Sequence, residues 1–173
     1  KDLSGTFNAS VLIDYENDCQ TQIIYKKIHL FDIALEGQKP VRESDCFAGG
    51  VSSKTFEFAN FKFGSSICYD IRFSELYSKY AKESVDIILV PAAFLVTTGR
   101  AHWEVLLRAR AIESQCYVIA PAQFGRHVSS KDSKIFRETY GHSAIINPWG
   151  EIIAIKPSDT GLLFAELDLA EVQ

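Results

Sequence analysis

The fold is decided by the stretch FKFGSSICYDIRFSELYSKYAKESVDIILV, which runs from Phe61 to Val90. Its first part, Phe61–Ile67, predicts a strand that ends at Cys68. Its last part, Val85–Val90, is a run rich in β-branched residues in which only Asp86 is polar, and such a run is typical of a strand buried on both faces. Between them, apolar side chains recur at helical spacing: Phe73, Leu76, Tyr77, Tyr80 and Ala81. The stretch therefore predicts a β-α-β unit.

The alternation of strands and helices continues on both sides of this unit. A second helix is predicted over His102–Ser114, which is rich in helix-forming residues. The other predicted strands are Val11–Ile13, Gln22–Tyr25, Cys116–Ala122, Ser143–Ile146, Ile152–Ile155 and Leu162–Leu167. Gly, Pro and Ser over residues 33–55 predict a surface loop, and residues 147–150 predict a turn. We expect residues 1–173 to form one α/β domain in which helices cover a sheet.

The composition limits the classes of protein to which the chain can belong. Of its 173 residues, 47% are hydrophobic and 23% are charged, which excludes intrinsic disorder. The net charge of -4 gives no electrostatic footprint for nucleic acid or an anionic membrane. No apolar run approaches the roughly 18–20 residues that span a bilayer. The chain opens with Lys1 and contains no Met, so we expect it to be a piece of a longer protein.

The four cysteines bear on the redox compartment of the protein. They are Cys19, Cys46, Cys68 and Cys116, and no two have the Cys-x-x-Cys spacing of a zinc ribbon. A chain of this length and apolar content does not need disulfides to fold. No apolar signal-peptide segment follows the first residues. We therefore predict reduced thiols and a soluble, cytoplasmic protein.

Cys68 is the candidate nucleophile because it stands where a buried strand gives way to a helix. Such a position lies at the carboxyl edge of the sheet, where open α/β sheets bind their ligands. The helix N-terminus favours a thiolate, and we expect it to lower the pKa of Cys68. The backbone N–H of Tyr69 is placed to stabilise an oxyanion. The alternative is that Cys68 is a buried thiol that packs as a small hydrophobe.

A thiolate that attacks a carbonyl carbon needs further groups around it. Lys27 follows the predicted strand that ends at Tyr25, and it either points into a pocket or belongs to a solvated lysine pair. Glu104 lies in the first turn of the predicted helix that begins at His102. That carboxylate is either a catalytic group or an ordinary first-turn residue that interacts with the helix dipole.

Several separated motifs resemble those of the nitrilase superfamily of carbon–nitrogen hydrolases. Residues 25–32, YKKIHLFD, are similar to its lysine motif, and residues 68–73, CYDIRF, are similar to its cysteine motif. Residues 101–113, AHWEVLLRARAIE, resemble the helix that follows the cysteine in that family. The match extends through QFGRH at 123–127, YGHS at 140–143 and NPWG at 147–150. The family often has Asp at the position of Asn147, and both residues suit a turn.

The resemblance implies an α/β fold of the four-layer α-β-β-α type, lacking here its N-terminal part and a short C-terminal tail. Cys68 becomes the nucleophile of a thioester intermediate, and Lys27 and the Tyr69 N–H stabilise the oxyanion. Glu104 is matched to the family's second glutamate, which positions the lysine or the substrate. The family's general base is a glutamate of the N-terminal segment, and Glu16, Glu36 and Glu43 are not matched to it. We expect no metal and no cofactor, and an inactive chain when it is assayed alone.

The motifs are most similar to those of the Nit branch, which includes deaminated-glutathione amidases and ω-amidases. The resemblance implies hydrolysis of an amide in a small carboxylate-bearing molecule, with water as co-substrate and a homodimer or larger homo-oligomer. Arg72 and His102 are candidates for substrate binding, although Arg72 equally suits a salt bridge with Glu75 or Asp70. Two other hypotheses remain open: a non-catalytic binding relative, and a zinc hydrolase that uses His102 and Glu104.

Overall fold

A six-stranded sheet forms the centre of the computed structural model, which describes residues 5–15, 18–34, 40–134 and 136–172. Its strands lie in the order β12-β11-β8-β7-β6-β5. Their bounds are β5 Phe56–Phe58, β6 Phe61–Ser65, β7 Ile87–Leu89, β8 Tyr117–Ala120, β11 Ser143–Ile146 and β12 Ile152–Lys156. The three central strands β6, β7 and β8 are parallel, and the outer pairs are antiparallel. The α/β class is therefore confirmed.

Two helices, α1 (Ser74–Lys82) and α2 (Val96–Ser114), pack together on one face of this sheet. Alternate strand residues such as Ile88 and Val118 point to that face and are fully buried in the core. The helices contribute the large side chains of this core, which are Leu76, Tyr77, Tyr80, Trp103 and Leu107. Burial of these aromatic and aliphatic groups holds the layer together.

Four shorter strands, in two hairpins, lie outside the central sheet. β1 (Ala9–Asp14) pairs with β2 (Gln20–Lys26), and β9 (Phe124–Val128) pairs with β10 (Phe136–Tyr140), both antiparallel. Two-residue strands β3 (Asp32–Ile33) and β4 (Val41–Arg42) form a small ladder in the loop region. The β1–β2 hairpin faces the side of the sheet opposite the helices, since Ser10 Oγ accepts a hydrogen bond of 3.1 Å from Ser65 Oγ.

The short strands β3, β4 and β5 were not predicted, and the predicted elements differ from these bounds at four further points. Helix α2 begins at Val96, six residues before His102. The hairpin β9–β10 was not predicted, because its strands are short and exposed and lack a clear apolar alternation. The predicted strand over Leu162–Leu167 is wrong: this segment has no regular secondary structure, and its large side chains Leu162 and Phe164 are exposed. The helix predicted directly after Cys68 is instead a short 3-10 helix, Cys68–Arg72, followed by α1.

The turn at residues 147–150 forms as predicted, and its Asn is compatible with it. The Asn147 Oδ1 accepts hydrogen bonds from the backbone N–H groups of Trp149 and Glu151, at 3.1 and 2.9 Å. This is the local side-chain-to-backbone pattern for which Asn and Asp are equally suited.

Two observations concern the expected class of protein. No helix within the described ranges is long and apolar enough to cross a membrane. The four cysteines are free thiols in this structure: Cys19 and Cys46 are exposed, Cys68 is partly buried and Cys116 is buried.

Candidate active site

Cys68 lies just beyond the carboxyl end of β6, at the first position of the 3-10 helix Cys68–Arg72. Its φ angle is +52°, a conformation that costs energy for a residue other than glycine and that recurs at functional sites. The Cys68 N–H donates a 2.9 Å hydrogen bond to the carbonyl oxygen of Pro91, which follows β7. The backbone of two adjacent parallel strands therefore fixes the position of the sulfur.

The buried carboxylate of Asp70 holds this turn in place. Its Oδ2 accepts hydrogen bonds from the Ile67 N–H at 2.9 Å and from the Tyr25 hydroxyl at 2.8 Å. Its Oδ1 lies 2.9 Å from the His29 N–H and 2.7 Å from His29 Nδ1. These contacts join the turn that carries Cys68 to the strand end that carries Lys27. Asp70, not Arg72, is thus the charged side chain of this motif that has a structural role in the core.

Lys27, which directly follows strand β2, forms an ion pair with Glu43. The Lys27 Nζ donates a hydrogen bond of 2.5 Å to Glu43 Oε2, and the two side chains are only 3% and 13% exposed. Glu43 also accepts hydrogen bonds from the Phe31 N–H at 2.7 Å and from Asn8 Nδ2 at 3.2 Å. Burial raises the pKa of Glu43, but the bonds from Lys27 and Phe31 outweigh it, and the net pKa is lowered. Glu43 is therefore an ionised carboxylate that orients the ammonium group.

One cavity of about 1220 Å³ brings these groups together. Its lining includes Cys68, Lys27, Glu43 and Tyr69, together with the apolar face of the sheet opposite the helices. Tyr69 is in the first turn of the 3-10 helix, where backbone N–H groups have no intrahelical acceptor. A thiol, an ammonium group and an unpaired N–H at one cavity wall are the parts needed to form and stabilise a tetrahedral oxyanion.

The expected low pKa of Cys68 is wrong for the protein as it stands. Burial raises the pKa of this thiol, and the contrary effects of an Ala93 backbone hydrogen bond and of the positive charge of Lys27 do not compensate. The five-residue 3-10 helix also lacks the length over which an α-helix dipole accumulates. The free protein therefore holds Cys68 mainly as the neutral thiol at pH 7.

The two candidate substrate-binding residues are in contact with each other. Arg72 lines the cavity, and its Nη2 lies 3.2 Å from Nδ1 of the exposed His102 on α2. The guanidinium also lies over the rings of Phe94 and Tyr69, at 5.5 and 5.8 Å from their centroids. No salt bridge joins Arg72 to Glu75 or Asp70 among the described contacts.

Glu104 lies away from the groups that it was expected to position. It is on α2, where its negative charge acts with burial to raise the pKa of Tyr140, and it is not among the described residues that line the cavity. The carboxylate that contacts Lys27 is that of Glu43. The sequence analysis excludes Glu43 as the general base because it follows the lysine motif, and it does not consider Glu43 as the partner of Lys27. Glu16 and Glu36 are outside the described residues.

Metal ligation is not supported by the arrangement of the described side chains. Within ranges 5–15, 18–34, 40–134 and 136–172, no three His, Cys, Asp or Glu residues come together in a way that holds a metal ion. His102 contacts Arg72, and the Glu43 carboxylate is already in an ion pair with Lys27.

Comparison with known proteins gives this geometry its context. The model of one protein family, described as carbon-nitrogen hydrolase, matches residues 2–173. The chain belongs to the carbon–nitrogen hydrolase family. This carbon–nitrogen hydrolase chain is 44% identical to a deaminated glutathione amidase of Mus musculus, over 96% of the chain and 50% of that relative. It is 41% identical to omega-amidase NIT2 of Danio rerio, over 85% of the chain and 51% of that relative.

Solved structures of relatives agree with the fold of this carbon–nitrogen hydrolase chain. The NitFhit protein of C. elegans superposes with a TM-score of 0.85 and 40% identity, over 99% of this chain and 40% of that one. Nit3 of Saccharomyces cerevisiae, described as a member of the nitrilase superfamily, superposes with a TM-score of 0.72 and 28% identity, over 96% of this chain and 60% of that one. The predicted Nit-branch resemblance and nitrilase-type fold are confirmed. The chain spans about half the length of the curated relatives it matches.

Proposed function

We propose that this chain carries the nucleophile half of an amidase site that hydrolyses an amide of a small carboxylate-bearing molecule, of the deaminated-glutathione type. The observation that carries the proposal is the meeting of Cys68, Lys27 and Glu43 in one cavity. The 44% identity to a deaminated glutathione amidase supports this choice of substrate class.

In this mechanism the Cys68 sulfur attacks the carbonyl carbon of the substrate amide. The Lys27 ammonium and the Tyr69 N–H stabilise the negative charge that develops on the carbonyl oxygen. The carbon–nitrogen bond then breaks, the amine or ammonia leaves with the proton that a separate base has taken from the Cys68 thiol, and a thioester on Cys68 remains. Water hydrolyses that thioester to release the acid and restore the thiol. Glu43 acts through Lys27, as a positioning residue.

A separate base is required, because Glu43 is unsuited to that task. Its Oε2 already accepts bonds from Lys27 and Phe31, and its lowered pKa makes it a weak proton acceptor. In the family resemblance the base is a glutamate of the segment that precedes the lysine motif. We therefore expect the 173-residue chain alone to hydrolyse amides very slowly, since the pKa of the Cys68 thiol is raised and no residue among those described is placed to take its proton.

An ω-amidase is the second candidate, supported by the 41% identity to omega-amidase NIT2 of Danio rerio. Its substrates release ammonia, so it needs no contact for the leaving group. A catalytically silent relative that binds small acids is the remaining alternative. Homodimer formation and a cytoplasmic location stay predictions from the sequence.

Acylation by an activated ester tests whether Cys68 is a nucleophile, because the nitrophenolate leaving group needs no general acid. The test uses the Cys19→Ala/Cys46→Ala double variant, because the two exposed thiols would react with the ester on their own. With 4-nitrophenyl hydrogen succinate at pH 9, we expect this variant to release a burst of one nitrophenolate per chain and to carry an acyl group on the Cys68 peptide by mass spectrometry. Further substitution of Cys68→Ala abolishes the burst. No burst in the double variant, or a burst that survives Cys68→Ala, refutes the amidase proposal.

A second measurement tests the missing base. Robust amide turnover by the 173-residue chain alone contradicts the assignment of the base to another segment. Turnover that appears only in the complete protein and is abolished there by Cys68→Ala supports it.

A further inference from the structure

Arg110 is a buried cation of helix α2 that the mechanism above does not use. The residue is only 6% exposed, and its guanidinium lies 5.2 Å from the centroid of the Tyr77 ring on helix α1. Its Nη1 donates a 2.6 Å hydrogen bond to Glu113, which is itself half exposed. Because burial of a charge is unfavourable unless the group is hydrogen-bonded, the remaining contacts of this guanidinium explain what holds it between the two helices.

The deepest of these contacts reaches the turn that carries the nucleophile. The Nε of Arg110 donates a 2.8 Å hydrogen bond to the backbone carbonyl of Ile71, which is fully buried. Ile71 is the fourth residue of the 3-10 helix Cys68–Arg72. Carbonyl groups in the last turn of a helix have no donor within that helix. Arg110 therefore satisfies a backbone acceptor at the carboxyl end of the turn.

The turn needs such a contact because it begins with a strained residue. Cys68 has a φ angle of +52°, and strained residues of this kind persist only where the surrounding structure holds them. Two contacts hold the amino end: the Cys68 N–H donates to the Pro91 carbonyl, and the Ile67 N–H donates to Asp70. The bond from Arg110 holds the other end, three residues after the sulfur.

The orientation of the turn matters for the oxyanion donor. The Tyr69 N–H lies between the two held ends, directly after Cys68. Its direction relative to the sulfur follows from the backbone angles of these two neighbouring residues. Stabilisation of an oxyanion depends on donors that already point at the developing charge, and a displacement of about 1 Å can slow a reaction as much as a hundredfold.

We propose that Arg110 is a positioning residue of the nucleophile turn, and that its bond to the Ile71 carbonyl keeps the Tyr69 N–H directed at the oxyanion. This inference rests on the proposed amidase function and deepens it. Arg110 touches neither the substrate nor the sulfur, and no proton passes through it. Loss of the bond slows attack of Cys68 on a carbonyl carbon, whereas it leaves the intrinsic reactivity of the thiolate unchanged.

Two substitutions of equal length isolate this hydrogen bond. Arg110→Gln places an amide nitrogen at the position of the Arg110 Nε, so it retains the donor and removes the charge. Arg110→Met places a methyl group at the same position, so it removes both. The two variants therefore differ in the donor to the Ile71 carbonyl. Both are made in the Cys19→Ala/Cys46→Ala background, which lacks the two exposed thiols.

Two reagents then separate orientation from thiolate reactivity. With 4-nitrophenyl acetate, the Cys68 thiolate displaces nitrophenolate from a carbonyl carbon through an oxyanion. With iodoacetamide, it displaces iodide from a saturated carbon, and no oxyanion forms. The ratio of the two rate constants at one pH does not depend on the thiol pKa, because both reagents use the same thiolate.

We expect Arg110→Met to lower the ratio of acylation to alkylation about tenfold, and Arg110→Gln to keep it within about twofold of the parent. A merely structural role changes both rates together and leaves the ratio as it was. Equal ratios in the two variants, whether both are lowered or both unchanged, overturn the proposal.

A third variant covers the case in which Arg110→Met does not fold. Arg110→Lys keeps a positive charge but places a methylene group at the Nε position, so its ratio is expected to fall below that of Arg110→Gln. A ratio equal to or above that of Arg110→Gln overturns the proposal. Absence of Cys68 acylation in the parent background overturns the amidase function and this inference together. Normal acylation of the parent with equal ratios in the variants overturns this inference alone.

Discussion

The buried Asp70 carboxylate accepts a hydrogen bond of 2.8 Å from the Tyr25 hydroxyl, and this contact ties the strand that carries Lys27 to the turn that carries Cys68. The two residues are 45 positions apart in the chain. The same carboxylate makes three further hydrogen-bonding contacts, one with Ile67 and two with His29. The separation between the ammonium group and the sulfur is therefore set by one side chain that takes no part in the proposed chemistry.

Substitution of Asp70 is predicted to cost more stability than loss of any single partner. Asp70→Asn replaces an acceptor by a donor against the Ile67 N–H, so we expect the free energy of unfolding to fall by about 2–4 kcal/mol. Tyr25→Phe removes one of the bonds and is expected to cost about 1 kcal/mol. Urea unfolding followed by circular dichroism measures both. Equal stability of Asp70→Asn and the parent chain rules out this role for the carboxylate.

The Lys27–Glu43 pair predicts a pH dependence of stability. The pKa of Glu43 is lower in the folded chain than its ordinary value of 4.5, so the ionised form stabilises the fold above that value. This stabilisation is lost as the pH falls from about 4.5 through the folded-state pKa. We expect Glu43→Gln to cost about 1–3 kcal/mol at pH 7 and progressively less below pH 4.5. A cost that does not vary between pH 7 and pH 3 contradicts the pairing.

The raised pKa of Cys68 predicts slow alkylation of the free protein. The ordinary thiol value is 9.0, so the rate of reaction of Cys68 with iodoacetamide is expected to rise with a midpoint above pH 9.0. At pH 7.5 the exposed Cys19 and Cys46 react first. Lys27→Gln removes a charge that lowers this pKa, and it shifts the midpoint further upward. Peptide mass spectrometry of timed samples separates the sites, and a Cys68 midpoint below pH 8 disproves the expectation.

Gly99 lies where helix α2 packs closely against Tyr140 of the β9–β10 hairpin. A Cβ atom at Gly99 would lie 2.4 Å from the Cβ of Tyr140, too close for either backbone to remain in place. Gly99→Ala is therefore expected to destabilise the fold by about 2–4 kcal/mol, despite the better helix propensity of Ala. Thr97→Ala, at an exposed site of the same turn, changes stability by less than about 0.5 kcal/mol. Thermal unfolding compares the two, and equal effects exclude close packing as the cause.

The sequence predicts the elements around the nucleophile well, because their information is local. The β-branched run at 85–90 and the helical spacing from Phe73 to Ala81 identify β7 and α1 within a few residues. Lys27 is placed correctly at the end of a strand for the same reason. The β9–β10 hairpin was missed, since five-residue strands with exposed side chains leave little periodic pattern.

The sequence by itself determined the alternation of elements, the position of Cys68 at a strand end and the family motifs that identify the chain, because each depends on neighbouring residues. Only the tertiary structure decided which carboxylate contacts Lys27. Glu43 reaches it across an irregular loop, and Glu104 does not, because loop paths are fixed by long-range hydrogen bonds that spacing cannot encode. The same holds for the Cys68 pKa: burial by distant segments raises it, against the lowering expected from its local position alone.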